Sequence, residues 1–597
     1  MNRASLLLLS WLHKVADLRF LLLFLLLSGC RVPDNSDKMI FRYNESAGIA
    51  TLDPAFAKDQ TIIWGCTQLY NGLVALDEQL QPQPCIAKGW TISPDGLTYT
   101  FTLRDDVYFH KNELFTHSSV SQADSSPNLG EQPEIQLASD IAGDIASDRA
   151  SHSSPKLGEV PQRGGGVCKD STRRVVAKDF VYSLRRLTDP SVASPGRWVM
   201  GEVDTFYAPT DSTFVIHLKQ AFAPFLSLLG MAYCSVVPHE VVEHYGPDFR
   251  EHPCGTGPFQ FQYWKEGVKL VLRRNPLYFE RDEEGTPLPY LDAVAVTFIV
   301  DKQTMFLEFV KGNLDFMNSL DASYKDELLT RTGELKEKYA DRIDMVSTPF
   351  LNTEYLGFNM SDSDSPLKDK RIRQAINCGF DREKMMRYLR NGIGQPGTGG
   401  MVPCGLPGFD TVASYGYRYD PDRAARLLAE AGYPGGKGLP SLTLGTTSNY
   451  LDLCKYIQQQ LGLIGIDVKL DVNPPAALRE QISQGKAGWF RGSWIADYPD
   501  AENYLQLFYS ENRCPAGANY TRYSNARYDA LYRRAKKTTD EEERIVLYHK
   551  MDSLIMEEAP VMVLYYDQIL HFTHKNVTGL RSNAMNALDL RKVKIEN

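Results

Sequence analysis

The hydrophobic period of this chain switches repeatedly between that of strands and that of helices, and this alternation limits the folds open to it. Over residues 38–110 apolar and polar side chains alternate as in β-strands. Trp90-Thr91-Ile92 leads into the turn Ser93-Pro94-Asp95-Gly96, after which Leu97, Tyr99, Phe101 and Leu103 recur at period two between threonines. A hairpin with one buried face satisfies that pattern. From Val175 onward, strand-like runs such as Ile464-Gly465-Ile466-Asp467-Val468 and Val561-Met562-Val563-Leu564-Tyr565-Tyr566 are interleaved with helical stripes. The clearest helix follows Asp420-Pro421, an N-cap acceptor and a proline at the first helical position; Ala424, Ala425, Leu427, Leu428 and Ala431 share its stripe, and Gly432 closes it. Another is expected from Thr539, whose spacing to Glu542 makes a capping box, with Ile545, Tyr548, Asp552 and Ile555 on one face. Strands mixed with helices in this way build α/β or α+β layers.

Aromatic residues make up 11% of the chain and the net charge is −9, which excludes disorder over most of the length and argues against a nucleic-acid binder. Residues 114–173 differ from the rest. Phe115 is their one aromatic, serine, aspartate, glycine and proline dominate, and Ser125-Ser126-Pro127-Asn128-Leu129-Gly130-Glu131 is echoed by Ser153-Ser154-Pro155-Lys156-Leu157-Gly158-Glu159. Such a segment buries too little apolar surface to offset its chain entropy, so a disordered insertion interrupting one domain is expected.

Residues 1–29 read as a secretion signal. Arg3, Lys14 and Arg19 precede the apolar run Phe20–Leu27, which is too short to span a bilayer, where about 20 residues are needed. The run ends in Leu27-Ser28-Gly29-Cys30, which resembles a bacterial lipobox and marks Cys30 for lipidation. Removing residues 1–29 leaves a mature charge of −11. Besides Cys30, the cysteines are Cys66, Cys85, Cys168, Cys234, Cys254, Cys378, Cys404, Cys454 and Cys514, an odd number for an oxidising compartment. Some pairing is expected, with Cys234–Cys254 among the near pairs. No spacing suits a zinc site, so no metal is implied.

Nucleophile elbows, zinc-protease helices, phosphate loops and dinucleotide fingerprints are all missing from the sequence. Asp497 and Asp500 form the best candidate carboxylate pair, and a secreted hydrolase or an adhesin stays open as an alternative.

Ten blocks, in order, resemble the extracellular solute-binding proteins of family 5, the dipeptide and oligopeptide receptors of ABC importers. The first block is Leu52-Asp53-Pro54-Ala55 with Leu69-Tyr70-Asn71-Gly72-Leu73 downstream, followed by Ile86-Ala87-Lys88-Gly89-Trp90 running into Asp95–Arg104, and Lys178-Asp179-Phe180-Val181-Tyr182-Ser183. Gly255-Thr256-Gly257-Pro258-Phe259, Arg274-Asn275-Pro276-Leu277-Tyr278, Phe358-Asn359 and Arg371–Ile376 with Asp381-Arg382 follow. Ala429–Tyr433, Trp494-Ile495-Ala496-Asp497-Tyr498-Pro499-Asp500 and Glu558-Ala559-Pro560 complete the series. Gly255 and Gly257 suit a tight bend, and Arg373 and Asp381-Arg382 read as scaffold.

The resemblance implies an α/β, two-lobed periplasmic-binding-protein fold (type II, cluster C-like) with an extra domain. Lobe I is expected at 38–56, 210–288 and 560–597, the extra domain at 57–209, and lobe II at 289–559. It also implies a monomer without cofactors, anchored in the cell envelope through Cys30, that passes oligopeptides to ABC permease and ATPase subunits. The aspartate of the family's W-x-x-D block falls on Asp497, as ligand for a peptide ammonium, while Asp500 reads as structural. Arg491 matches an arginine that reaches the peptide's carboxylate end. Ser493, Trp494 and Ile495 would offer backbone groups as an added strand does, faced by Gly48, Ile49 and Ala50. Tyr355 and Phe358 read as core. A non-peptide solute (nickel chelate, haem, sugar or cell-wall peptide) remains open on the same fold.

Overall fold

The computed structural model describes residues 38–115 and 172–596, apart from 319, 322, 323, 363, 410 and 412. The secretion signal 1–29, Cys30, Cys168 and nearly all of the insertion 114–173 lie outside the described residues. Within Lys111–Arg173, a unit separate from the remainder, the guanidinium of Arg173 stands 5.7 Å from the ring of Phe115.

The expected hairpin forms from β2 (Ala87–Ile92) and β3 (Thr98–Leu103). Gly96 turns it at φ +72°, and Tyr99, Phe101 and Leu103 are buried. It is one side of a four-stranded sheet in the order β2-β3-β5-β4, with β4 at Val203–Thr210 and β5 at Thr213–Leu218. β5 therefore pairs with β3 and β4, which start within the segment 57–209 expected for the extra domain, although β5 itself falls within the 210–288 segment expected for lobe I.

The main sheet has eleven strands. One half contains β1 (Ile40–Asn44), β6 (Phe259–Lys265), β7 (Lys269–Arg274), β8 (Ala293–Thr297) and β9 (Phe316–Asn318). The other contains β11 (Leu442–Thr446), β12 (Val468–Val472) and β13 (Trp489–Ile495). Two long strands, β10 (Ile343–Phe358) and β14 (Val561–His574), run antiparallel through the middle and join the halves. The order is β12-β11-β13-β10-β14-β9-β1-β8-β7-β6, with Gln395–Pro396 pairing on β14. β8 and β9 fall within 289–559, yet both pair in parallel with β1 and so stand with the first half. β14 also belongs to both halves: Val561–Tyr566 faces Gly357–Thr353, whereas His571–Thr573 faces β9. The β10–β14 register slips between Pro349 and Thr353, where the chain passes from one half to the other.

Strand alternation distributes the core. Tyr355 and Phe490 enter one buried cluster, whereas Leu356, Phe358 and Trp489 enter another on the opposite face, with Phe358 and Trp489 stacked at 5.9 Å. Tyr355 and Phe358 are thus core residues. Arg373 is buried and donates to the carbonyls of Leu367, Lys368, Glu558 and Ala559; Arg382 likewise donates to Asn377 and Val563. Both tie helices to β14 and the turn before it, as scaffold residues do.

Three local expectations change. The C-terminal helix, Glu541–Glu558, is capped by Asp540, whose side chain accepts from the Glu543 amide, one residue beyond Thr539. The run 464–468 is not a strand up to Asp467, because Gly465 at φ +88° turns the chain and β12 begins at Val468. Cys234 is a buried free thiol, so the Cys234–Cys254 disulfide does not form; Cys66, Cys85, Cys378, Cys404, Cys454 and Cys514 are also free.

Candidate ligand-binding site

Ligands of open α/β sheets bind beyond the carboxyl ends of parallel strands, where backbone and loops leave a crevice. Both expected site segments occupy such ends. β13 runs parallel to β11 and finishes at Ile495; β1 runs parallel to β8 and β9 and finishes at Asn44, just before Gly48-Ile49-Ala50.

β13 pairs with β10 from Trp489 to Ile495, but meets β11 only at Gly445–Phe490. Among the described residues the other edge of Gly492–Ile495 therefore has no β partner. Ser493 and Trp494 are half-buried there and Ile495 is 52% exposed.

The following turn is fixed by Asn503, which is fully buried. Its Oδ1 accepts from Trp494 Nε1 at 2.8 Å and from the Asp497 amide at 3.2 Å, and its Nδ2 donates to Asp497 Oδ2 at 3.5 Å. Asp497 is open to solvent, yet nearby protein displaces enough water to push its carboxyl above the usual range, opposed only by the Asn503 bond. Among the described residues no cation pairs with it. The Tyr233 phenol is pushed up to about 12 by burial, then by the charges of Asp497 and Asp59. Tyr498, next in the chain, packs against Trp198 and Phe222 with ring centroids 6.1 and 6.5 Å away.

Asp500 caps the next turn by accepting from the Glu502 amide at 2.8 Å, and Arg544 Nε lies 4.0 Å away. It is structural, as expected. A cavity of about 450 Å³ opens on its side of the loop, bounded by Tyr99, Pro224, Arg544 and Tyr548 among others; Asp497 does not line it.

Arg491 is engaged differently. It forms an ion pair with Glu354 on β10, and its guanidinium lies 3.4 Å from the ring centre of Tyr450. Gly48 donates to the Glu45 carbonyl at 3.0 Å, Ile49 is buried, and the Ala50 carbonyl accepts from Arg250 at 3.2 Å. Among the described residues no hydrogen bond joins Gly48–Ala50 to Ser493–Asp497. Glu45 is held up at about 7 by burial, which Lys302 partly offsets. Glu45, Tyr233, Glu354 and Asn503 were not singled out from sequence. Only Asn503, close behind the W-x-x-D block, carried a local signal.

Two sheet halves sharing a pair of long strands, with loops gathered at parallel strand ends, define the two-lobed periplasmic-binding-protein class. Within that class, the profile of the bacterial extracellular solute-binding proteins, family 5 Middle, matches residues 81–123 and 170–514, and the chain belongs to this family. The gap between the two matched stretches falls inside the segment 114–173. The glutathione-binding protein GsiB of Salmonella typhi is 27% identical over 544 residues, covering 89% of this chain and 90% of that protein. Among solved structures, the periplasmic binding protein DppA of Helicobacter pylori, in complex with the peptide STSA, is 24% identical with a TM-score of 0.68, covering 94% of this chain and 99% of that one. HbpA2 from Haemophilus parasuis is 20% identical with a TM-score of 0.72, covering 94% and 100%.

Proposed function

We propose that this protein is the substrate-binding component of an ABC importer, and that it captures oligopeptides between two lobes by hinge closure. One observation carries the reading: Asp497 is a solvent-open carboxylate held by Asn503, without a cation partner among the described residues. A protein that reads peptides of varied sequence must bind what they share, and a lone carboxylate in a partly dehydrated crevice is a site for an ammonium group. The free edge of Ser493–Ile495 supplies backbone donors and acceptors to a peptide lying beside it. Gly48–Ala50 approach from the other half when the lobes close.

The hinge falls at Pro349–Thr353 and Tyr566–Gln568, and contacts made only in the closed state favour closure. The work is binding and release, and no bond is made or broken. Cys30 carries the lipid that tethers a monomer to the membrane; Cys30→Ser should then release it into the soluble fraction, and unchanged membrane association would refute the anchor.

The test of the ligand reading is Asp497→Asn. Losing the charge partner of a dehydrated ammonium costs about 3 kcal/mol, roughly a hundredfold in affinity. Calorimetry should show that loss for peptides with a free amine and little change for their N-acetylated forms. Equal losses for both would remove Asp497 from the assigned role. The relatives' glutathione binding favours a second reading, and glutathione belongs in the same titration.

A further inference from the structure

We infer that Glu354 is a built-in counter-carboxylate for Arg491, so that this protein selects its ligands by their ammonium end and is indifferent to whether the other end is charged. The inference rests on the peptide reading above and specifies which half of the ligand is read.

Glu354 of β10 stands directly opposite Ser493 of β13, in the stretch whose other edge has no β partner among the described residues. Its side chain is 4% exposed and that of Arg491 is 12% exposed. Both carboxylate oxygens are occupied: Oε2 accepts from Arg491 Nη2, and Oε1 accepts from Asn352 Nδ2 at 3.2 Å. Tyr450 covers the guanidinium face. The neighbouring Arg390 is likewise matched, by Asp567 at 2.5 Å, and its guanidinium lies 4.3 Å from the ring centre of Tyr565.

The four charges of this cluster therefore cancel in place, whereas Asp497 has no counter-charge among the described residues. A ligand carboxylate approaching Arg491 would meet a guanidinium whose charge is already matched by a tethered group of the same chemistry, although its buried Nε has no hydrogen-bond partner among the described residues. Tethering gives Glu354 an effective concentration that a dissolved peptide cannot match. It would also meet the like charge of Glu354 in a poorly hydrated place. The site thus offers an open anionic group in Asp497.

Trialanine and trialanine amide separate the possibilities, since both keep the ammonium and only one keeps the carboxylate. Wild-type protein should bind them with affinities within about threefold of each other. Glu354→Gln frees Arg491 and should favour the free acid by tenfold or more, and adding Arg491→Gln should abolish that preference. Should Glu354→Gln fail to fold, the neutral double variant Glu354→Gln/Arg491→Gln should still bind trialanine within about threefold of wild type. A tenfold wild-type preference for the free acid, or a tenfold loss of trialanine binding in the double variant, would overturn this inference alone. Failure of the wild type to bind either peptide would overturn the peptide reading, and this inference with it.

Discussion

Asp552 shows how a single buried group can leave a mark on the whole chain's stability. It is fully buried and accepts from the amides of Met401 at 2.6 Å and Val402 at 3.4 Å, and from the Tyr415 hydroxyl at 3.0 Å. Burial outweighs these bonds and lifts its carboxyl from 3.8 to about 6. The folded state therefore holds this proton more tightly than the unfolded chain. The stabilisation is complete below about pH 4 and is lost as pH rises through 6, a difference of about 3 kcal/mol. Urea titrations of wild type and Asp552→Asn at pH 4 and pH 7 should show the variant gaining about that much relative to wild type at the higher pH. A difference between the two proteins that does not move with pH would show that Asp552 is ionised throughout. Sequence placed Asp552 on the right helical face, but nothing local revealed that it would be the polar member of a fully enclosed set.

At the scale of elements, Gly255-Thr256-Gly257-Pro258 serves closeness more than turning. Neither glycine has a positive φ. A methyl group on Gly255 would stand 2.0 Å from the Leu69 carbonyl oxygen, and one on Gly257 2.5 Å from that of Gln68. The Gly257 amide instead donates to the Leu69 carbonyl at 2.9 Å, and Asn275 Nδ2 donates to the Gly257 carbonyl, also at 2.9 Å. Because the obstructing atoms are backbone, Gly257→Ala should cost about 3 kcal/mol, measured by chemical denaturation. Gly89→Ala, where a methyl group meets nothing within 4 Å, should change stability by no more than about 0.5 kcal/mol. Equal effects would mean that the approach of the two segments is not what fixes the glycine. The same scale shows what patterning conveys. Period two and a four-residue turn were enough for the hairpin, and Asp420-Pro421 was enough for the helix Pro421–Glu430, whose cap accepts from the Arg423 amide. The allegiance of β8 and β9 was illegible, because an apolar run announces a strand without saying which strand it will lie beside.

For the whole molecule, the order of ten short blocks conveyed the family, and the α/β layering followed from alternating periods. Half of the proposed site is local in sequence: Asp497 and the extended run before it lie within seven residues of Arg491 and stay together in the fold. The other half was hidden, since Glu354 pairs with Arg491 across 137 positions. Pairings at such separations are set by topology, which no local pattern encodes. The proposed seat of a peptide's ammonium on Asp497, between the two lobes, is open to direct observation. A crystal structure with trialanine tests it most directly: the terminal nitrogen should lie about 2.8 Å from an Asp497 carboxylate oxygen, with the peptide backbone along Ser493–Ile495. A terminal nitrogen seated on Glu45 or Asp500, with Asp497 facing bulk water, would contradict it.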